Sequence, residues 1–217
     1  MKYPTELTGQ EFGGIYIHEP GALLSNIAIA ITCFFIAWAN RNVKTRAARF
    51  WVLFVICIGL GATGGTISHG FPTYLSPEHY FAVWWVKNDF ILLANLFAGL
   101  AVFSLTEVSR RKLTVILGFK FLLAVILLFV LFDFLPAVID LALTYIAIIA
   151  ITWSRIDIPG VRSLKQSFII ALVSGVFYLF PFSLLNGWFT NKDAVHVFAI
   201  VSLLLVSKAV HAMEPSQ

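Results

Sequence analysis

Charge is what this sequence has least of. Asp, Glu, Lys and Arg make up 12% of its 217 residues, whereas 59% are hydrophobic, and soluble domains carry about twice that share of charge. The shortage excludes an ordinary water-soluble globule. Cysteine is scarce too, with only Cys33 and Cys57; both sit inside apolar runs as small core residues, so no disulfide framework is expected. The net charge of +4 comes without a basic stripe, which argues against a nucleic-acid partner. Residues 1–20 hold acids and prolines where a secretory signal would hold an apolar run, so the first hydrophobic span is expected to act as the targeting signal. There is no internal repeat and no low-complexity tract. Two similar halves with paired helix breaks, the pattern of inverted-repeat transporters, are likewise missing.

What remains is a series of apolar runs of roughly 20 residues, each long enough to cross a bilayer as a helix. They cover about Gly21 to Asn40, Phe50 to His69, Tyr80 to Leu105, Leu113 to Phe132, Pro136 to Trp153, Gln166 to Leu185 and Asp193 to His211. The expected fold is an all-α seven-transmembrane-helix bundle, one domain over residues 1–217 with a bend at Pro181 in the sixth span. Ten of the fifteen Lys and Arg residues lie in the connections after spans one, three and five. By the positive-inside rule that alternation places the N-terminal segment, residues 1–20, outside the cytoplasm and the C-terminus within it.

Ionisable residues inside such spans are site hypotheses by default, because hydrocarbon tolerates them poorly. Converted to depth at about 1.5 Å per residue, they gather in the outer half. Glu19 precedes span one, His69 ends span two, Asp89 lies in span three, Asp140 in span five, and His196 one turn after Lys192 in span seven. Lys120 and Lys208 lie far enough inward to snorkel to the inner surface. Two imidazoles and a carboxylate converging from separate helices have the composition of a zinc site. The bland alternative is interfacial hydrogen bonding by the histidines and an Asp–Lys pair.

The stretch Glu19-Pro-Gly-Ala-Leu-Leu-Ser25-Asn26 is similar to the ceramidase pattern Glu-x5-Ser-Asn, and GLGATGGTISH, ending at His69, resembles the end of the second ceramidase span. With Asp89 in span three and His196 in span seven, the chain resembles the CREST superfamily of seven-span membrane proteins, which includes alkaline ceramidases and adiponectin receptors. The resemblance implies a zinc-dependent hydrolase of a lipid amide or ester, with zinc on His69 and His196 and Asp89 holding the attacking water as catalytic base. Trp84, Trp85 and Phe90 would then line an acyl slot, or else form an interfacial belt. Departures stand beside the likeness. Gly65 occupies the place of the family's Ser, for which Thr66 or Ser68 is a partial substitute, and Lys192-x3-His196 replaces His-x3-His. His79, in the loop before span three, is the alternative third metal ligand. The ceramidases' additional calcium ligands before Glu19 are not matched, which argues against calcium. The rival readings are a non-enzymatic membrane protein, either a lipid or small-molecule sensor or an accessory subunit, and a retinal protein built on Lys208. Lys208 lies too near the helix end for the latter.

Overall fold

The computed structural model describes residues 9–106, 109–180, 182–185 and 188–214. Seven helices account for most of them: α1 Pro20–Ala39, α2 Arg46–Gly70, α3 Pro77–Phe103, α4 Arg110–Leu131, α5 Leu135–Trp153, α6 Val161–Leu179 and α7 Asn191–Ala212. Among the described residues, six of these, α1 to α5 and α7, are long and apolar enough to cross a membrane. The expected bend at Pro181 falls outside the described residues.

Helix starts follow local chemistry. Pro20 and Pro77 open α1 and α3 at a position where the missing N–H costs nothing. Ser76 caps α3 by accepting from the His79 N–H, so the helix begins three residues before the expected Tyr80. Thr190 and Asp193 form a reciprocal capping box on α7. Gly160, with φ +82°, turns the chain into α6, and a Cβ there would meet the Ala209 carbonyl oxygen at 2.5 Å. A left-handed backbone and a neighbouring carbonyl both demand glycine.

The helices pack in chain order, α1 against α2, α2 against α3, α3 against α5, α5 against α6 and α6 against α7, and α7 returns to α1. Helix α4 is set outside, against α3 and α5. Because lipid tails are as apolar as leucine, close backbone approach does much of the joining. Along the α2–α3 seam, Cβ atoms at Gly61 and Gly64 would come within 2.9 Å of Ile91 and 2.7 Å of Lys87. The main core centres on Trp51, Phe54, Tyr145 and Phe168, with Phe168 at 5.5 Å from Trp51 and 4.9 Å from Tyr145 between ring centres. A smaller core joins Trp84 and Leu92 of α3 to Ala124 and Leu128 of α4 and Ala137 of α5. There Trp85 stacks on Phe129 at 4.0 Å. These two tryptophans therefore pack into the α3–α4 seam, where the expectation was an acyl slot or an interfacial belt.

The end where α1, α3 and α7 begin carries two features that hydropathy alone does not announce. Residues expected to be only a polar lead-in form a hairpin, β1 (Gln10–Phe12) and β2 (Ile15–Ile17). The segment between α6 and α7 contains a short antiparallel pair, β3 (Ser183–Leu184) and β4 (Phe189–Thr190). The two are tied by Trp188, whose indole N–H donates to Gln10 Oε1 at 3.0 Å and whose ring meets Phe12 edge-on at 5.5 Å.

Candidate functional site

Beneath this cover lies a chain of polar side chains anchored on Glu19. The residue is the N-cap of α1, yet its carboxylate caps nothing. Both oxygens are taken elsewhere: Oε2 by His69 Nδ1 at 2.5 Å and Oε1 by Lys192 Nζ at 2.8 Å. The backbone repeats the link, since Glu19 N donates to the His69 carbonyl and His18 N to that of Gly70, each at 3.0 Å. Burial alone would raise the Glu19 pKa, but the imidazole and the ammonium outweigh it and hold the carboxyl well below its ordinary 4.5.

Nearly two turns further along α1, Ser25 makes the second link. Its Oγ lies 2.9 Å from Asp193 Oδ1 and 2.7 Å from His196 Nδ1. The other Asp193 oxygen accepts from the Thr190 N–H and hydroxyl, each at 2.8 Å. A serine has one proton, and a carboxylate only accepts. With that proton directed to Asp193, His196 Nδ1 is the donor to Ser25. By the same rule His69 Nδ1 is the donor to Glu19. Each ring in its neutral form therefore keeps its lone pair on Nε2, the orientation that anchored metal-binding histidines also adopt.

Expected site residues divide into those the fold gathers and those it does not. Glu19, His69, Lys192 and His196 come together. Asp89 does not join them. The α3 residue turned toward α2 is Lys87, whose Nζ donates to Ser68 Oγ at 2.9 Å; two residues on, Asp89 is rotated by about 200° around the helix. Its Oδ1 is buried without a hydrogen-bond partner. His79 lies in the exposed first turn of α3, not in a loop, bonded through Nδ1 to Ser76 Oγ at 2.9 Å. Thr66 spends its hydroxyl on the Ala62 carbonyl of its own helix at 3.1 Å. Asp140 belongs to a separate cluster, holding Lys120 on one oxygen and the Asn95 amide at 2.8 Å on the other. Lys120 is thus not snorkelling inward: it sits about ten residues from either end of α4, and a carboxylate on α5 gives it a nearer partner. Gly65 has its own reason. A Cβ there would lie 2.5 Å from Asn26 Oδ1, so the Asn26 amide fills the space a serine would need.

Sequence reasoning named Ser25 and Ser68 only within the ceramidase-like stretches and gave no site role to Lys87 or Asp193. The Thr-x2-Asp spacing of Thr190 and Asp193 was legible as a cap, but a cap gives no hint that its second oxygen reaches another helix. A pocket of about 260 Å³ opens beside the cluster, lined by His18, Glu19, Asn191, Lys192 and Asp193 among others. The buried His18 Nδ1 beside it has no partner.

The match to a family model decides what the chain is kin to: residues 22–215 fit a family of unknown function, DUF6962. The chain belongs to that family. No curated protein and no solved structure matches. The DUF6962 match begins at Ala22 and so takes in Ser25, His69, Lys192, Asp193 and His196, with Glu19 just before it.

The donor set of this DUF6962 member combines two imidazoles, two carboxylates and an ammonium. Zinc in a catalytic centre keeps three protein ligands. Among the described residues no three His, Cys, Asp or Glu side chains stand together to hold a metal. Where the ceramidase-like pattern has its further imidazole, Lys192 places an ammonium against Glu19, and a dication beside it would be repelled.

Proposed function

We propose that this chain is a multi-pass membrane protein, N-terminus outside and C-terminus cytoplasmic, that binds the polar head of a lipid or small amphiphile at the Glu19–His69–Lys192 cluster without metal chemistry. The orientation rests on the basic connections, which all lie at the end of the bundle opposite this cluster. The observation that carries the binding reading is that Lys192 and His69 share the Glu19 carboxylate at the wall of a pocket holding several waters' worth of space. That wall offers the Lys192 ammonium, the His18 imidazole and the Glu19 and Asp193 carboxylates to a small ligand with both donors and acceptors. The adjoining helix faces are apolar, as lipid sites require.

Metal-dependent hydrolysis of a lipid amide or ester is the second reading. It is favoured by one observation, the two imidazoles anchored through Nδ1, and it needs a third ligand. Metal content of the purified protein separates the two. Substoichiometric zinc, unchanged in His69→Ala, supports the binding reading; near-stoichiometric zinc lost in both His69→Ala and His196→Ala overturns it. Short-chain lipids of differing headgroup, added to protein in detergent, are expected to raise the Tm selectively, and Lys192→Gln is expected to abolish the effect.

A further inference from the structure

The opposite end of the bundle holds a second place built for lipid. Helix α3 ends there while α2 and α4 begin, and the three leave a narrow cleft. Its floor is Leu100 and Phe103, and its sides are Arg46 and Phe50 of α2 and Leu113 and Thr114 of α4. The space within it is only about 30 Å³, room for about two waters, so an occupant lies along the cleft and not inside it. An acyl chain does so when its headgroup stays at the rim.

The rim is basic. The Arg46 guanidinium lies over the Phe50 ring at 5.4 Å, held upright at the mouth by a cation–π contact. Arg111 and Lys112 stand exposed at the start of α4. Among the described residues none of the three pairs with a carboxylate, the ion pairs being those of Glu19 and Asp140. Glu214, the acid near the start of α2, is engaged: it accepts from Lys44 N at 2.8 Å, Thr45 N at 3.0 Å and Thr45 Oγ1 at 2.8 Å. Glu107, in the α3–α4 connection, leaves the Ser104 to Lys112 segment at a surplus of two positive charges, three basic residues less one acid. A zwitterionic phospholipid brings a cation of its own to that rim. A headgroup of net negative charge does not.

We infer that the α2–α3–α4 cleft is a specific site for one anionic phospholipid, its phosphate on Arg46 and Lys112 and one acyl chain along Leu100 and Phe103. Generic attraction of basic loops to an anionic leaflet is the competing explanation. It predicts that any basic residue at this end would serve equally. Arg155 and Arg162, which belong to the other basic connection at the same end, are the control.

The test uses full-length protein in detergent, with native mass spectrometry of retained phosphatidylglycerol against phosphatidylcholine. Wild type should retain phosphatidylglycerol preferentially. Arg46→Gln should lower that preference about fivefold, the loss expected for one surface charge worth about 1 kcal/mol, while R155Q/R162Q leaves it unchanged. Thr114→Trp, which obstructs the cleft and keeps every charge, should lower it too. Equal losses in R46Q and R155Q/R162Q, no effect of T114W, or no preference in wild type each overturn the assignment.

Discussion

Removing Lys120 should destabilise this protein more than removing its partner. Asp140 is 4% exposed and Lys120 27%, so the two ends of the ion pair stand in different surroundings. Lys120→Met strands a buried carboxylate. Breaking a buried pair from one side costs about 3–5 kcal/mol, and the surviving Asn95 bond keeps the value near the lower figure, about 3 kcal/mol. Asp140→Asn retains an acceptor for Asn95 and leaves a lysine with a partial route to solvent; about 1 kcal/mol is expected. The double variant K120M/D140L removes both charges and should recover to within about 1 kcal/mol of wild type, which makes the pair strongly non-additive. Reversible unfolding in mixed detergent micelles reads all three. Equal costs for K120M and D140N, or a double variant as unstable as the sum of the single changes, would refute the assignment of the burial asymmetry as the cause.

Three further outcomes follow from the site and its surroundings. Gly65→Ser should cost about 1–3 kcal/mol by overpacking against Asn26, and Asn26→Ala in the same chain should recover much of it, read as Tm in detergent. Since the folded Glu19 pKa lies below the ordinary 4.5, its contribution should be fully present above about pH 5 and decline as the pH falls below that ordinary value. A melting series from pH 7 to pH 3 should show the decline in wild type and a shallower one in Glu19→Gln. Glu214→Gln weakens an exposed anion that accepts from the first N–H groups before α2; the expected loss is about 0.5 kcal/mol, with faster hydrogen exchange at Lys44 and Thr45 as the local signature.

Helix positions were readable because the signal for them is long and one-dimensional: every expected span overlaps one helix, and the ends moved by a few residues except in the sixth, Val161–Leu179, which starts five and ends six residues early. Ser76 shows why ends move, since a single hydroxyl placed the start of α3 and took His79 into the helix with it. The gathering of Glu19, His69, Lys192 and His196 was readable from shared depth along separate spans. Azimuth was not. Asp89 and Lys87 have nearly equal depth, and only packing of α3 on Gly61 and Gly64 decides which of them faces α2. Lys120 was misplaced for a related reason. Its distance from the helix end is in the sequence, but the identity of its partner on α5 is a property of the pairing between helices. The hairpin at residues 10–17 left no hydropathic trace, being short, turned at Gly13 and Gly14 and held by the Tyr74 and Trp188 side chains from distant segments.

The double backbone bond from His18 and Glu19 to the end of α2 fixes which wall of the pocket can give way. Acid and imidazole are riveted to one another through their own main chains and travel as a single jaw. Lys192, Asp193 and His196 ride on α7 and meet that jaw through side chains alone. On the binding reading proposed above, adaptation to ligands of different size belongs to the start of α7, and a guest that separates the jaws would report itself through Trp188, whose indole ties the segment before α7 to the hairpin at Gln10.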